Sequence, residues 1–287
     1  MRKLFTLASM MMLAITLGVS ACGSTVFDAA KNISVTVRED GSGTKSAFME
    51  IIGLKGKADP ANVILQSSTA GILAEVKSNK TAIAYESLGY VTGDVKKLKV
   101  DGVEATADNV KNGTYKISRP LSVVYKESTL TNDINKAFFD FLQSSDAQKI
   151  IKDEGYVSIV DNASAYKTNG ALSGTINVFG STSLQPLMKE LQKKFKDLQP
   201  NITLNIGGTG SSQGYSDAKD GIVEFGMISE VFDSNKAPDC VSHIVCKDGI
   251  AVIVHKDNPL ENITMSQLKD IYDAESNTTT KWNDLIK

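Results

Sequence analysis

Three stretches of this sequence set glycine and hydroxyl side chains directly after an apolar run and directly before a helical pattern. They are Arg38-Glu39-Asp40-Gly41-Ser42-Gly43-Thr44, Gly180-Ser181-Thr182-Ser183, and Gly207-Gly208-Thr209-Gly210-Ser211-Ser212-Gln213-Gly214. The chemistry such turns offer is oxyanion binding. A helix start exposes unpaired backbone N–H groups and a partial positive charge. Glycine lets an oxyanion approach that backbone, Ser and Thr add donors, and several such turns converging on one point bind a tetrahedral anion far better than one. Only the first turn carries a cation, Arg38, whose planar fork suits bidentate contact with an oxyanion. One arginine among many neutral donors fits a small dianion in a dry cleft. Taken singly, each turn is also what ordinary helix capping produces, because Ser and Thr are common N-caps and Gly a common turn residue. Three in one chain, one of them with an arginine, favour binding.

Other chemistries lack their residues. No stretch has the Gly-x4-Gly-Lys-Ser/Thr spacing of a nucleotide triphosphatase, and no Gly-x-Ser-x-Gly elbow with a partnered histidine is present. A phosphate-ester hydrolase using Asp40 or Glu230 as base would need a nucleophile–base pair or a metal cluster, and neither can be assigned, so the chain is not expected to be an enzyme. His243 and His255 fall in or beside apolar strands and read as structural. Two histidines and three cysteines are too few for a multi-ligand zinc site, so no metal and no cofactor is expected. The 287 residues are 41% apolar and 22% charged with a net charge of −2, which excludes a basic nucleic-acid platform. At ~150 residues per domain, this length allows about two domains.

The turns must be held by strands and helices, and the pattern supplies them alternately. Strands are expected at 33–37, 82–85, 121–124, 175–179, 202–206 and 249–254, the last nearly all apolar as in a parallel sheet covered on both faces. Helices are expected at 44–52, stopped by Gly53, at 135–152, and after 183, where Leu184, Leu187, Met188, Leu191, Phe195 and Leu198 share a face and Pro186 fits only the first turn. Residues 161–173 are small and polar and read as a linker. The alternation argues an α/β architecture.

At the N-terminus, Met1-Arg2-Lys3 precedes about 16 uncharged residues, a secretory signal too short for the ~20 residues of a membrane span. It ends Val19-Ser20-Ala21-Cys22-Gly23, which resembles the bacterial lipobox. Residues 1–21 then read as the signal peptide, Cys22 as the lipidated residue that anchors the chain to the cell membrane, and 22–32 as a tether. Loss of Arg2 and Lys3 would take the net charge from −2 to −4. Cys240 and Cys246 could form a disulfide in an exported protein or remain as two buried thiols.

Beyond the first turn, Ser87-Leu88-Gly89-Tyr90-Val91, Asn112-Gly113-Thr114-Tyr115, Ser118-Arg119-Pro120 and Glu154-Gly155-Tyr156-Val157 resemble the C-terminal half of the phosphate-binding lipoproteins of bacterial phosphate ABC importers. Gly180–Ser183, Gly210-Ser211-Ser212, Phe225-Gly226-Met227, Asp248–Val254 and Trp282 resemble that family's N-terminal half. The resemblance covers residues 33–160 and 174–287 in reversed order, so the chain reads as a circular permutant joined through 161–173, and the end near Lys287 is expected beside Ile33. A fragment of a tandem duplication, its sites completed between chains, is the competing reading.

The resemblance implies a two-lobed, periplasmic-binding-protein-like fold with the ligand cleft between lobes. Lobe one would be residues 116–255, and lobe two 33–115 plus 256–287, with chain crossings near Thr114–Pro120 and Val254–Asn258. It implies an extracytoplasmic protein that captures inorganic phosphate and delivers it to an ABC importer permease. Sulfate or molybdate binding, or a surface sensor or adhesin on the same fold, are alternatives. Carried over position by position, the ligand contacts are Arg38, Ser42, Gly43, Thr44, Thr182, Ser183 and Ser211, with Ser229 the best match after Phe225-Gly226. Asp40 would hold Arg38 in place. Glu230, an unusual neighbour for an anion, is the candidate acceptor for a proton of phosphate. Tyr85 and Tyr90 are read as packing.

Overall fold

The computed structural model describes residues 27–275 and 278–286. The expected signal segment 1–21, the expected lipidation site Cys22, the first part of the expected tether and Lys287 lie outside the described residues.

The first half of the chain forms β1 (Ser34–Arg38), α1 (Gly43–Ile51), β2 (Ile64–Gln66), α2 (Thr69–Ser78), β3 (Ala82–Ser87), β4 (Val95–Lys97), β5 (Lys99–Val100), α3 (Ala107–Lys111), β6 (Ser118–Tyr125), α4 (Asp133–Leu142) and α5 (Ser145–Asp153). The second half forms β7 (Gly174–Gly180), α6 (Gln185–Leu198), β8 (Ile202–Gly208), α7 (Ser211–Asp220), β9 (Phe225–Ile228), β10 (Val241–His255), β11 (Asn262–Ile263) and α8 (Met265–Tyr272). The expected strands are present and mostly longer. The expected helix 135–152 is two: α4 ends at Leu142, and the Ser144 hydroxyl accepts the Ala147 N–H to cap α5.

A mixed sheet runs β2-β1-β3-β10-β6-β9-β7-β8, with β4 also on β10. Strand β10 joins two halves of it: residues 241–249 pair antiparallel with β6, and 250–254 antiparallel with β3. Pairings of β1 with β2 and β3, and of β7 with β8 and β9, are parallel. The apolar side chains divide accordingly. Val37, Phe48, Tyr85, Ile250–Val254, Tyr272 and Trp282 share one core. Leu121, Phe138, Phe141, Ile176, Leu191, Phe195 and Phe225 share another, with Tyr215, Val223 and Ile228 in a satellite beneath α7. Each such side chain contributes about 1.5–3 kcal/mol by burial.

These cores shift one expected boundary. Residues 250–254 pack in lobe two, so the chain crosses back at Asp248–Ile250, not near Val254–Asn258. The other crossing lies at Ile117–Ser118, where Ile250 N–H donates to Ile117 O at 2.7 Å. The return crossing is invisible to an apolar-run argument, because β10 stays extended from one lobe into the other.

The first and last described segments meet on lobe two. Ile33 N–H donates to Thr280 O at 2.8 Å, Trp282 N–H to Lys31 O at 3.2 Å, and Asn283 N–H to Ala29 O at 2.8 Å. The segment 161–173 lies along lobe one, where Tyr166 and Leu172 pack on its core and Ser145 N–H donates to Ser164 O. Cys240 and Cys246 are buried and unbridged; a register shift in β10 falls between Ile244 and Cys246.

Candidate functional site

Ligands of open α/β sheets lie beyond the carboxyl ends of parallel strands. Here β1 leads into α1, β2 into α2, β7 into α6 and β8 into α7, so four helix starts face that crevice, two from each lobe. Ser42 caps α1 and accepts the Lys45 N–H; Ser68 caps α2 and accepts the Gly71 N–H. At α6, the Ser181 hydroxyl accepts the N–H groups of Ser183 and Leu184, both at 3.2 Å. These caps leave Gly43, Thr44, Thr69, Thr182, Ser183 and Ser211 to look across the cleft.

Across it the hydroxyls touch. Thr44 Oγ1 lies 2.8 Å from Ser183 Oγ, and Thr69 Oγ1 lies 3.2 Å from Thr182 Oγ1 and 3.3 Å from Ser183 Oγ. Ser211 Oγ accepts the Ser229 N–H at 3.2 Å and meets Ser229 Oγ at 3.2 Å. Gly43 stands against this pair: a Cβ there would come within 2.5 Å of Ser211 Oγ and 2.8 Å of Ser229 Oγ. The Ser212 N–H donates to Gly41 O at 3.1 Å. All eight expected contact residues, Arg38, Ser42, Gly43, Thr44, Thr182, Ser183, Ser211 and Ser229, therefore gather at one cleft within a single chain. That arrangement has no need of a second chain to complete it.

Arg38 is 1% exposed. Its Nε donates to Gln66 O at 3.2 Å, Nη2 to Ser67 O at 3.1 Å and Nη1 to Thr69 Oγ1 at 3.5 Å, three of the five N–H groups of a guanidinium. Burial pushes its pKa down, and the nearby Glu86, Tyr85 and Glu39 push it back up. Tyr85 packs as expected, stacked on Phe48 with ring centroids 4.1 Å apart, and its hydroxyl also accepts the Arg38 backbone N–H at 3.3 Å.

One supporting assignment is corrected. Asp40 does not hold Arg38; its side chain is 97% exposed and pairs with Lys45 at 2.7 Å, which lowers its pKa. After the strand ends the backbone turns outward, so two residues of sequence separation carry Asp40 away from the guanidinium. Glu230 faces the outer mouth and pairs with Lys236 at 2.7 Å. Asp40, Ser42, Lys45, Glu230 and Lys236 line this outer cleft of about 270 Å³.

Sequence reasoning missed Thr69. Its turn, Ser67-Ser68-Thr69, contains no glycine and follows a strand of only three residues, so the glycine–hydroxyl signature passed over it. A hydroxyl triplet before a helical pattern was the available signal. His243 is half-buried, with its pKa pushed down by burial, and lies edge-on to Phe139. Among the described residues no cluster of His, Cys, Asp or Glu could hold a metal ion, and no helix is long and apolar enough to cross a membrane.

A family model described as a PBP superfamily domain matches residues 24–146 and 165–287. The chain is 35% identical over 266 residues to phosphate-binding protein PstS 2 of Streptococcus agalactiae serotype V, covering 89% of this chain and 88% of that one. It is 33% identical over 291 residues to phosphate-binding protein PstS 2 of Streptococcus pneumoniae serotype 4, covering 98% of each. The crystal structure of a phosphate ABC transporter phosphate-binding protein from S. pneumoniae TIGR4 superposes with a TM-score of 0.70 at 33% identity, over 89% of this chain and 100% of that one.

Proposed function

The chain belongs to the PBP superfamily, and from that premise we propose that its cleft captures inorganic phosphate and delivers it to the permease of an ABC importer. It is a substrate-binding protein and not an enzyme. The observation that carries the reading is the buried Arg38 guanidinium set among Thr and Ser hydroxyls from four helix starts on two lobes. A tetrahedral dianion there would meet one full positive charge, several hydroxyl donors and the positive ends of helix dipoles. The hydroxyls now bond one another across the cleft, so an entering anion exchanges those bonds for its own as the lobes reclose.

The contacts proposed are Arg38, Ser42, Gly43, Thr44, Thr182, Ser183, Ser211 and Ser229, with Thr69 added. Titration calorimetry with phosphate, sulfate and molybdate tests the reading. Losing one partner of a buried charge-assisted contact costs ~2–5 kcal/mol, so Arg38→Ala should weaken phosphate binding at least about tenfold. Equal affinity in the two proteins would remove Arg38 from the site, and preference for another anion would replace phosphate.

The anchor and the chain order belong to the same reading. A lipid on Cys22 would hold the protein outside the cytoplasm and attach the membrane to lobe two; mass spectrometry of the mature N-terminus tests it. Adjacent ends on lobe two and a linker lying on lobe one support a permuted order relative to the more usual arrangement of the family.

A further inference from the structure

One buried acid takes no part in the site as described. Glu86 lies near the carboxyl end of β3 and is wholly buried. Strands β1 and β3 pair in parallel with Val35 opposite Ile83, and towards their carboxyl ends the Tyr85 hydroxyl accepts the Arg38 N–H at 3.3 Å, so Glu86 directly follows a residue bonded to Arg38. Its Oε1 accepts the Ser87 N–H at 2.6 Å, while Oε2 is buried with no partner. An ionised carboxylate accepts at both oxygens; a protonated one has an O–H to donate and needs fewer donor partners.

The charged groups around Glu86 come from every neighbouring strand. Arg38 approaches from β1, Arg119 from β6 and Asp248 from β10, with Tyr85 beside it on β3. Asp248 is already committed, taking Arg119 Nη2 at 3.2 Å and the Ser87 hydroxyl at 2.7 Å. Burial pushes Glu86 up to about 8, against the pull of the Ser87 N–H and the two arginines and with the push of Asp248. Burial thus favours the neutral form of Glu86.

We propose that Glu86 is a positioning residue whose proton sets the strength of the anion site: neutral, it leaves the Arg38 charge to the anion; ionised, it competes for that charge. The inference rests on the phosphate reading above. An incoming anion adds negative charge to the same dry region, which raises the proton affinity of a carboxylate. By reciprocity, phosphate capture at alkaline pH draws one proton from solvent onto an ionised Glu86, forming the O–H bond of its carboxyl group, and release returns it. The importer's cargo would then be held less tightly as pH rises, beyond what the ionisation of phosphate itself dictates.

The test is calorimetric titration of inorganic phosphate into the full mature protein and into Glu86→Gln, in buffers of different ionisation enthalpy. Gln keeps the acceptor for Ser87 N–H and fixes the neutral state. Phosphate's own protonation is common to both proteins, so their difference reports Glu86. Above its midpoint, the wild-type affinity should fall by up to about tenfold per pH unit relative to the variant, with proton uptake exceeding the variant's by up to one. Should the variant fail to fold, infrared difference spectra of the wild type on adding phosphate at alkaline pH must gain a protonated-carboxyl band. Parallel pH profiles and equal proton counts, or no such band, overturn this inference while leaving the phosphate reading in place. Absence of any phosphate binding by the wild type overturns both.

Discussion

Arg38 is oriented by neutral groups. The carbonyls of Gln66 and Ser67 fix its plane without cancelling its charge, whereas a carboxylate such as Asp40 would have cancelled it before any anion arrived. A desolvated, uncompensated cation is costly, and that cost is what a bound dianion relieves. Gly43 matters for a different reason. It lies five residues after Arg38, stands at the first position of α1 and faces Ser211 and Ser229 with no room for a methyl group. Alanine suits a helix better than glycine by about 1 kcal/mol, so Gly43→Ala should leave lobe two folded and its melting temperature unchanged or raised. The added Cβ would hold the lobes apart, and phosphate affinity should drop more than about tenfold. Calorimetry beside a thermal melt checks this, and unchanged affinity would show that closure does not bring Gly43 against the serine pair. At this scale the sequence was readable wherever residue type and immediate neighbours decide the outcome. Arg38, Thr44, Thr182 and Ser211 were found that way. Thr69 and the true partners of Arg38 were not, because they are 28 to 31 residues away and meet it only through the pairing of β1 with β2.

Among the elements, the helix starts are placed by close backbone contact more than by side chains. Helix α7 lies on β7 and β9 through Gly180, Gly214 and Gly226. A Cβ on Gly226 would fall 2.0 Å from Gly214 O, and one on Gly214 would fall 2.4 Å from Met227 O. The start of α7 carries Ser211, and the strand beyond Gly226 leads to Ser229, so this glycine seam sets the spacing of the serine pair. Overpacking of this kind costs about 1–3 kcal/mol. Gly226→Ala should lower the denaturant midpoint accordingly and weaken phosphate binding without touching a ligand group; full stability in that variant would mean that α7 has slack. These elements were legible as a strand–turn–helix repeat, since period and turn chemistry are local. The break between α4 and α5 was not. It depends on the Ser144 hydroxyl capping α5 and on Ser145 N–H reaching Ser164 O in the linker, a contact no periodicity encodes.

Two lobes joined by two crossings form a hinge only if something fixes the crossings, and here it is a buried polar clamp. Arg119 follows one crossing and Asp248 precedes the other, and the Ser87 hydroxyl and Gly89 N–H bind the same carboxylate from the end of β3. This clamp gathers β3, β6 and β10 at one point, away from both chain ends. The first and last described segments lie together: Lys31 and Ala29 bond to Trp282 and Asn283, and Phe27 sits edge-on to the buried Trp282 ring. The order of halves is therefore expected to be separable from the fold. A chain rearranged to begin at Asn169, run to Ile286, pass through a linker of about five residues into Phe27 and end at Thr168 keeps every strand pairing, because both breaks fall outside the sheet. The new loop is short and its closure entropy small, while the contacts of Tyr166 and Leu172 remain on their own sides of the cut. The rearranged protein should fold within a few degrees of the parent melting temperature and bind phosphate within about threefold. Misfolding, or a collapse of affinity in a folded protein, would mean that the continuous linker 161–173 helps hold lobe one in its closing geometry and that chain order is part of the binding mechanism.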